Sequence, residues 1–219
     1  MTQDVQTWVN YGEAFAFAGN SLLAPMNQTG AVGLDPEFWT AFPDFGSDQV
    51  RAAIEACGEY ARTAQQYAAD GGDPVQRASV EYTALFIGPP RPQAAPWETM
   101  YAGGDQEVTV GFGRATFEMR ELLREAGLEI SNENNQYADH IGIELLYASV
   151  LCTRLAEADG DAAAQAELGC KLSSFVQKHP LPWIDKLIAA VEASQPNGYL
   201  EAILSLSKAL LTAVLASLS

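Results

Sequence analysis

The spacing of apolar residues limits most strongly what this chain can fold into. Over residues 47–69, Val50, Ile54, Cys57 and Ala61 recur three or four positions apart, which places them on one face of an α-helix. Ser47 or Asp48 precedes this pattern, and either side chain can accept hydrogen bonds from the free N–H groups of a first helical turn. No sustained alternation of polar and β-branched residues and no repeat of fixed period stands out along the sequence. The sequence therefore predicts an all-α fold.

The helix after this one is marked at both of its ends. Asp73 followed by Pro74 is a helix-start signal, because the carboxylate can accept free N–H groups and proline lacks the N–H that would go unpaired. The predicted helix runs towards Ile87. The following stretch, from Gly88 to Gly104, is too rich in proline and glycine for regular structure. We predict one long loop there.

Helical spacing returns near Phe112 and continues to Gly127, a residue type that commonly ends helices. Further helices are predicted over residues 137–158, 161–178, 182–194 and 197–218, with Asn134 or Asn135 able to cap the first of them. The prediction is thus a single helical bundle domain over residues 1–219, interrupted by the one long loop.

The charge balance limits the classes of partner. The 219 residues include 28 acidic and 12 basic ones, a formal charge of -16, which disfavours nucleic acids and anionic membrane surfaces and favours a basic partner. No lysine or arginine precedes Arg51, so the positively charged start of an export signal is absent. We expect a cytoplasmic protein.

Two further features argue against a membrane span and a structural metal. The apolar segment 199–219 carries a polar stripe at helical spacing, which predicts an amphipathic helix on a protein core and no stable membrane insertion. Cys57, Cys152 and Cys170 lie far apart without a C-x-x-C pair, so we expect core residues and no disulfide or zinc site.

The long loop is unusual because it contains large aromatic residues. Trp97 and Tyr101 lie in the run APWETMY, where prolines restrict the backbone. Just before the loop, Tyr82, Leu85 and Phe86 share one helix face. Such a stripe is ordinarily part of the core, but beside a rigid aromatic loop it can also form a groove for an apolar peptide.

Four strings carry a family resemblance: EYTALFIGPP, APWETMY, ADHIGIELLY and FVQKHPLPW, which span Glu81 to Trp183. In this order and spacing they resemble the motif set of the TorD/DmsD family of redox enzyme maturation proteins. The resemblance implies a TorD-like all-helical chaperone without catalytic activity, acting in the cytoplasm. It implies two linked partners, the twin-arginine signal peptide and the apo-form of a molybdoenzyme catalytic subunit, which the chaperone helps to mature before export.

The resemblance also implies a set of peptide-binding residues. Thr99 replaces the serine usual in the loop, and Asn135 and Tyr137 replace a common glutamate and proline. We expect Asp139 to meet an arginine of the twin-arginine motif, because a carboxylate matches the guanidinium fork. The implied set is Tyr82, Leu85, Phe86, Pro96, Trp97, Thr99, Tyr101, Asp139 and His140.

Other functions stay open at this point. His140 and Glu144 stand four apart on one helix face, a spacing that would suit a metal-dependent hydrolase, but His179 is the one other histidine. We therefore predict neither a metal nor a cofactor. A chaperone that binds the folded client body is a further alternative. No phosphate-binding loop is present, so binding of a guanine nucleotide or of the molybdenum cofactor is left open, as is the choice between a monomer and a domain-swapped dimer.

Overall fold

Helices provide nearly all of the regular structure. The computed structural model describes residues 4–88, 90–102, 109–130 and 136–218. In these ranges it contains no β-strand, only an isolated antiparallel bridge between Trp97 and His140. The all-α prediction is confirmed. The helices are α1 (Val5–Leu23), α2 (Met26–Thr29), α3 (Pro36–Ala41), α4 (Asp48–Ala69), α5 (Pro74–Tyr82), α6 (Thr99–Ala102), α7 (Arg114–Glu125), α8 (Ile141–Glu157), α9 (Ala162–Lys178), α10 (Leu181–Ser194) and α11 (Tyr199–Ser217).

Side-chain caps begin three of these helices, and two of the caps, Ser47 and Asp73, are residues predicted for that role. Ser47 Oγ accepts a hydrogen bond from the N–H of Val50 at the start of α4, and Asp73 accepts one from Gln76 in α5. Asp161 caps α9 in the same way. Helix α5 continues as a π-helical turn over Thr83–Ile87. These boundaries follow the predicted ones closely because the capping signals are local in sequence.

Helix α8 begins later than predicted, at Ile141, with His140 as its N-cap. The predicted caps Asn134 and Asn135 lie outside the described residues. The residues just before Ile141 pair with the long loop, and this tertiary pairing holds them in a non-helical conformation. The spacing of apolar residues in the sequence does not reveal such a tertiary pairing, so the start of α8 was predicted too early.

Helix α1 is absent from the sequence-based prediction, although it packs along α8 in the centre of the fold. Gly12 and Gly19 interrupt its apolar pattern and lower its intrinsic helix propensity. A Cβ at Gly19 would lie 2.8 Å from the carbonyl oxygen of Gly142 in α8. Because neither Gly19 nor Gly142 has a side chain, α1 and α8 can approach each other this closely.

Helix α11 packs against α1, α4 and α10 and contributes buried leucines to the one hydrophobic core that the described helices share. Lys208 and Thr212, from the predicted polar stripe, are exposed. By length and composition alone this is the one described helix that could cross a membrane, but 56% of its apolar 18-residue stretch is buried inside the protein. Cys57 and Cys152 are buried as expected, whereas Cys170 is exposed and the expectation of a core position is wrong for it.

Candidate functional site

The described part of the predicted long loop, residues 90–102, lies across the start of α8. It ends in the short helix α6, so the expectation of no regular structure is wrong for Thr99–Ala102. We keep the name loop for the whole stretch. Backbone hydrogen bonds fix it there: the N–H of Glu98 donates to the carbonyl of Asp139, and the N–H of Ile141 donates to the carbonyl of Pro96, each at 2.9 Å. These bonds flank the bridge between Trp97 and His140. The loop is thus held as a short antiparallel pairing, and this pairing determines where the predicted site residues lie.

Asp139 joins three segments of the chain. Its carboxylate is 0% exposed and accepts the N–H of Thr99 at 3.0 Å and the hydroxyl of Thr116 in α7 at 2.8 Å. The hydroxyls of Thr99 and Thr116 lie 3.2 Å apart. Both carboxylate oxygens therefore have partners inside the protein, so an arginine from outside could reach Asp139 only by displacing one of them.

The aromatic and aliphatic face before the loop lies in the core. Tyr82, Leu85 and Phe86 are all buried, and the Tyr82 hydroxyl donates to the carbonyl of Leu23 at 2.8 Å. Phe86 packs edge-on against the ring of His140, with centroids 6.3 Å apart. In this conformation the three side chains line no open groove, and they support the loop from below.

Trp97 and Tyr101 are the half-buried rings of the loop. Trp97 lies edge-on to both Tyr137 and His140, each with a centroid distance of 6.1 Å. Tyr101 stacks on Trp183, with centroids 5.4 Å apart. Pro96 is buried. The structure thus gathers Phe86, Trp97 and His140 around one point and places Tyr101 further along, over α10.

His140 acts as a cap of its own helix. Its Nδ1 accepts the N–H of Gly142 at 3.0 Å, which places the proton of the neutral ring on Nε2. Burial lowers the pKa of His140 to about 3, so the ring is neutral near pH 7. Nδ1 is therefore occupied by this backbone N–H, and the alternative in which His140 and Glu144 bind a metal would have to use Nε2, which is buried without a hydrogen-bond partner among the described residues.

Glu144 instead belongs to a buried polar cluster that sequence reasoning missed. Nδ1 of His179 lies 2.9 Å from Oε2 of Glu98, and the indole N–H of Trp183 donates to Oε2 of Glu144 at 3.2 Å. Burial, and then the neighbouring carboxylate of Glu98, raise the pKa of Glu144 well above its usual range. The four residues come from the motif strings, but no spacing in the sequence indicates that they meet.

Exposed apolar side chains lie in the loop, in the segment that contacts it and on α7. Phe112 is 72% exposed, Phe117 51% and Met100 41%. A Cβ on Gly113 would collide with the side chain of Thr99, so the segment that carries Phe112 lies against the loop. We call the half-buried Trp97 and the exposed Met100, Phe112 and Phe117 the loop rim. Soluble proteins seldom leave several large apolar side chains exposed together unless something binds them.

Acidic residues and a pocket lie next to the loop rim, between α7 and α9. The pocket, here called the α7–α9 pocket, has a volume of about 490 Å³. Glu118 and Glu121 on its wall form exposed ion pairs with Arg114 and Arg124. The lining residues are Phe117, Glu118, Glu121, Leu122, Glu125, Lys171, Ser174, Phe175, Lys178 and His179.

Comparison with known proteins places this architecture in a family. The family model described as nitrate reductase delta subunit matches residues 47–189, more than half of the chain. The match covers the loop, the buried cluster and helices α4 to α9.

Curated relatives have names that agree with one another. A chaperone protein TorD of Shewanella pealeana is 28% identical over 106 residues, covering 46% of this chain and 47% of the relative. A probable Tat proofreading chaperone DmsD of Haemophilus influenzae is 24% identical over 128 residues, covering 58% and 55%. A Tat proofreading chaperone DmsD of Salmonella typhimurium is 30% identical over 104 residues, covering 48% and 44%. The chain spans about half the length of these relatives. With the family match, they show that the chain belongs to the nitrate reductase delta subunit family of redox enzyme maturation chaperones, the family of TorD and DmsD.

Proposed function

We propose that this protein is a cytoplasmic, non-catalytic chaperone. Its partner is the twin-arginine signal peptide of an apo-molybdoenzyme catalytic subunit, which it helps to mature before export. The observation that carries the proposal is the loop rim, a partly exposed apolar surface in a chain whose relatives include proteins named Tat proofreading chaperones. The exposed rings can bury the apolar h-region of a signal peptide.

The predicted site residues divide into two roles in this proposal. Trp97 and Tyr101 are half-buried, and they contact the peptide directly through the part of each ring that remains exposed, together with the rest of the loop rim. The buried residues Tyr82, Leu85, Phe86, Pro96, Thr99, Asp139 and His140 hold the loop in the conformation that presents those rings. A loop already held in its binding conformation loses less conformational entropy when the peptide arrives.

The paired arginines of the peptide find carboxylates beside the apolar surface. Glu118 and Glu121 on α7 already bind the arginines of their own helix in exposed ion pairs. Exchanging one exposed ion pair for another costs little free energy, because such pairs contribute only about 0–1 kcal/mol. Asp139 is the alternative carboxylate, provided that the peptide displaces Thr99 or Thr116.

Calorimetric titration of the purified chain with a synthetic signal peptide tests the proposal. We expect Trp97→Ala to weaken peptide binding by about tenfold or more, since burying a large side chain contributes roughly 1.5–3 kcal/mol. Its circular dichroism spectrum should remain that of the wild type. Tyr67→Ala is the matched control, because Tyr67 is also a partly exposed ring but lies on α4 beside Arg77.

Two results would contradict this assignment. If Trp97→Ala unfolds the chain, Trp97 is a structural residue. If wild-type protein binds the client enzyme lacking its signal peptide as tightly as the full-length client, the folded body is the target. Co-purification from the native host would then identify which oxidoreductase subunit is bound.

A further inference from the structure

We propose that Glu98, Glu144 and His179 form a binding site for one divalent transition-metal cation, of the zinc or manganese class, beneath the loop. The site fastens the loop to the start of α8 and the end of α9. This proposal does not depend on the proposed function.

The donor atoms converge on one point. One ligand atom from each of the three residues lies within 4.8 Å of the other two, and the His179 nitrogen is 2.9 Å from a Glu98 oxygen. Metal bonds from nitrogen and carboxylate oxygen measure about 2.0–2.2 Å, which places neighbouring ligands about 3–4 Å apart. Small side-chain movements therefore suffice for coordination, and two carboxylates with one imidazole suit a borderline cation.

The second observation is a carboxylate oxygen without a partner. Oε1 of Glu144 is buried and accepts no hydrogen bond from any described residue, although Oε2 is held by the Trp183 indole. A carboxylate oxygen of Glu98 lies within 4.8 Å of one of Glu144. Two ionised carboxylates repel each other and have no donor to offer, so a proton or a cation between them is favourable.

The local charge favours a cation over a single proton. The carboxyl groups of Glu98 and Glu144 lie beside the His179 imidazole, Asp139 adds a third negative charge near Glu144, and all four side chains are buried. Within the ranges that the structure describes, no lysine or arginine is a hydrogen-bond or ion-pair partner of these carboxylates. A proton between the two glutamates removes one negative charge, whereas a divalent cation removes two and also uses the nitrogen of His179.

Solvent reaches one side of the site. His179 and its neighbour Lys178 line the α7–α9 pocket, so the site borders solvent on the side of the imidazole. The indole of Trp183 supports Glu144 from behind, as groups outside the coordination shell commonly do for metal-binding carboxylates.

Zinc and manganese binding to the full chain tests the proposal directly. After chelator treatment and dialysis, we expect calorimetry to show one equivalent of bound cation, and elemental analysis to find it retained through gel filtration. Glu144→Gln and His179→Ala should weaken the affinity at least a hundredfold. Cys170→Ser is the control for zinc held at the exposed thiol, and it should bind as the wild type does.

A spectroscopic readout covers the case in which a variant fails to fold. Cobalt added to the wild type should give a visible absorption band that is lost in Glu98→Gln, a substitution that keeps the side-chain shape. Zinc should raise the melting temperature of the wild type but not that of Glu98→Gln. The proposal is overturned if no stoichiometric cation binds, if Glu144→Gln binds equally well, or if Cys170→Ser abolishes binding. The first result would leave a shared proton as the link between the glutamates.

Discussion

Asp139 and His140 are neighbours in sequence, yet their side chains bind to different parts of the protein. The carboxylate of Asp139 holds Thr99 of the loop and Thr116 of α7, whereas the imidazole of His140 caps its own helix at Gly142. Successive residues outside a helix point in different directions, so the two side chains form no acid–base pair. Together they fix the position of the loop on α8.

We predict that Asp139→Asn lowers the free energy of unfolding by about 1–3 kcal/mol, the usual cost of an unsatisfied buried polar group. An amide has one acceptor oxygen, so either the Thr99 N–H or the Thr116 hydroxyl loses its acceptor. Urea denaturation measures the loss. Glu192→Gln, on the exposed surface of α10, should change stability by less than about 0.5 kcal/mol.

A double-mutant cycle then decides whether Asp139 also meets the peptide. Asp139→Asn is combined with an arginine-to-glutamine change in the signal peptide. Additive losses in binding free energy would place the arginine contact elsewhere, with Glu118 and Glu121 as the next candidates. A much smaller second loss would show that the peptide arginine displaces Thr99 or Thr116.

At the scale of helices, the contact between α1 and α8 depends on two glycines. We predict that Gly142→Ala destabilises the protein by about 1–3 kcal/mol, because the new Cβ would lie 2.8 Å from the backbone oxygen of Gly19 and the helices must move apart. Gly58→Ala is the matched control: its Cβ meets nothing closer than 3.6 Å, and alanine favours helix by about 0.5–1 kcal/mol. Thermal denaturation of both variants should give shifts of opposite sign. Equal shifts would show that α1 and α8 are not tightly packed.

The start of α11 depends on a carboxylate from another helix. Glu81 in α5 accepts the N–H groups of Tyr199 and Leu200, at 3.0 and 2.8 Å. We predict that Glu81→Gln lowers the free energy of unfolding by about 1–3 kcal/mol, because one of these N–H groups then faces the amide NH2 group, which cannot accept a hydrogen bond. Chemical denaturation at several pH values measures this cost.

The cost of Glu81→Gln should also depend on pH in a defined direction. Burial raises the pKa of Glu81 above the unfolded value of 4.5 despite its two backbone hydrogen bonds. The folded state therefore binds more protons than the unfolded state between those two pKa values. The stability that protonation adds is complete below pH 4.5 and is lost as the pH rises through the folded pKa. The difference in free energy of unfolding between wild type and Glu81→Gln should therefore shrink as the pH rises. A difference that grows with pH would contradict the raised pKa.

The helices that the sequence predicts best are those with local signals. The side chains of Ser47, Asp73 and Asp161 each accept a hydrogen bond from the N–H group three residues further on, and such local caps can be read from the sequence. Helix α1 gives a weaker pattern because its glycines serve a contact with α8, more than a hundred residues away. The site follows the same rule. Its loop was predictable from prolines and aromatics, but the meeting of Glu98 with His179 depends on the tertiary fold alone.

For the whole molecule, the apolar and charged surfaces have separate effects on binding. The formal charge of -16 produces a long-range field that attracts a basic peptide and speeds its approach. Most of this charge lies on exposed side chains, where salt screens it over about 8 Å at physiological ionic strength. The loop rim acts only on contact, through the area it removes from water. Affinity and association rate should therefore respond to different changes.

We predict that replacing leucines in the peptide h-region weakens binding more than raising the salt concentration does. Each buried large side chain contributes roughly 1.5–3 kcal/mol, whereas each screened ion pair contributes roughly 0–1 kcal/mol. Two leucine-to-alanine changes should therefore raise the dissociation constant by about a hundredfold, and increasing sodium chloride from 0.1 to 0.5 M should raise it by less than about tenfold. Salt should slow association more than it speeds dissociation, which surface plasmon resonance can resolve. A control peptide of the same composition has its two arginines at the carboxyl end. It keeps the net charge and so shows whether the position of the arginines matters. If salt weakens binding more than the leucine changes do, the acidic surface of α7 provides most of the affinity and the loop rim is not the main contact.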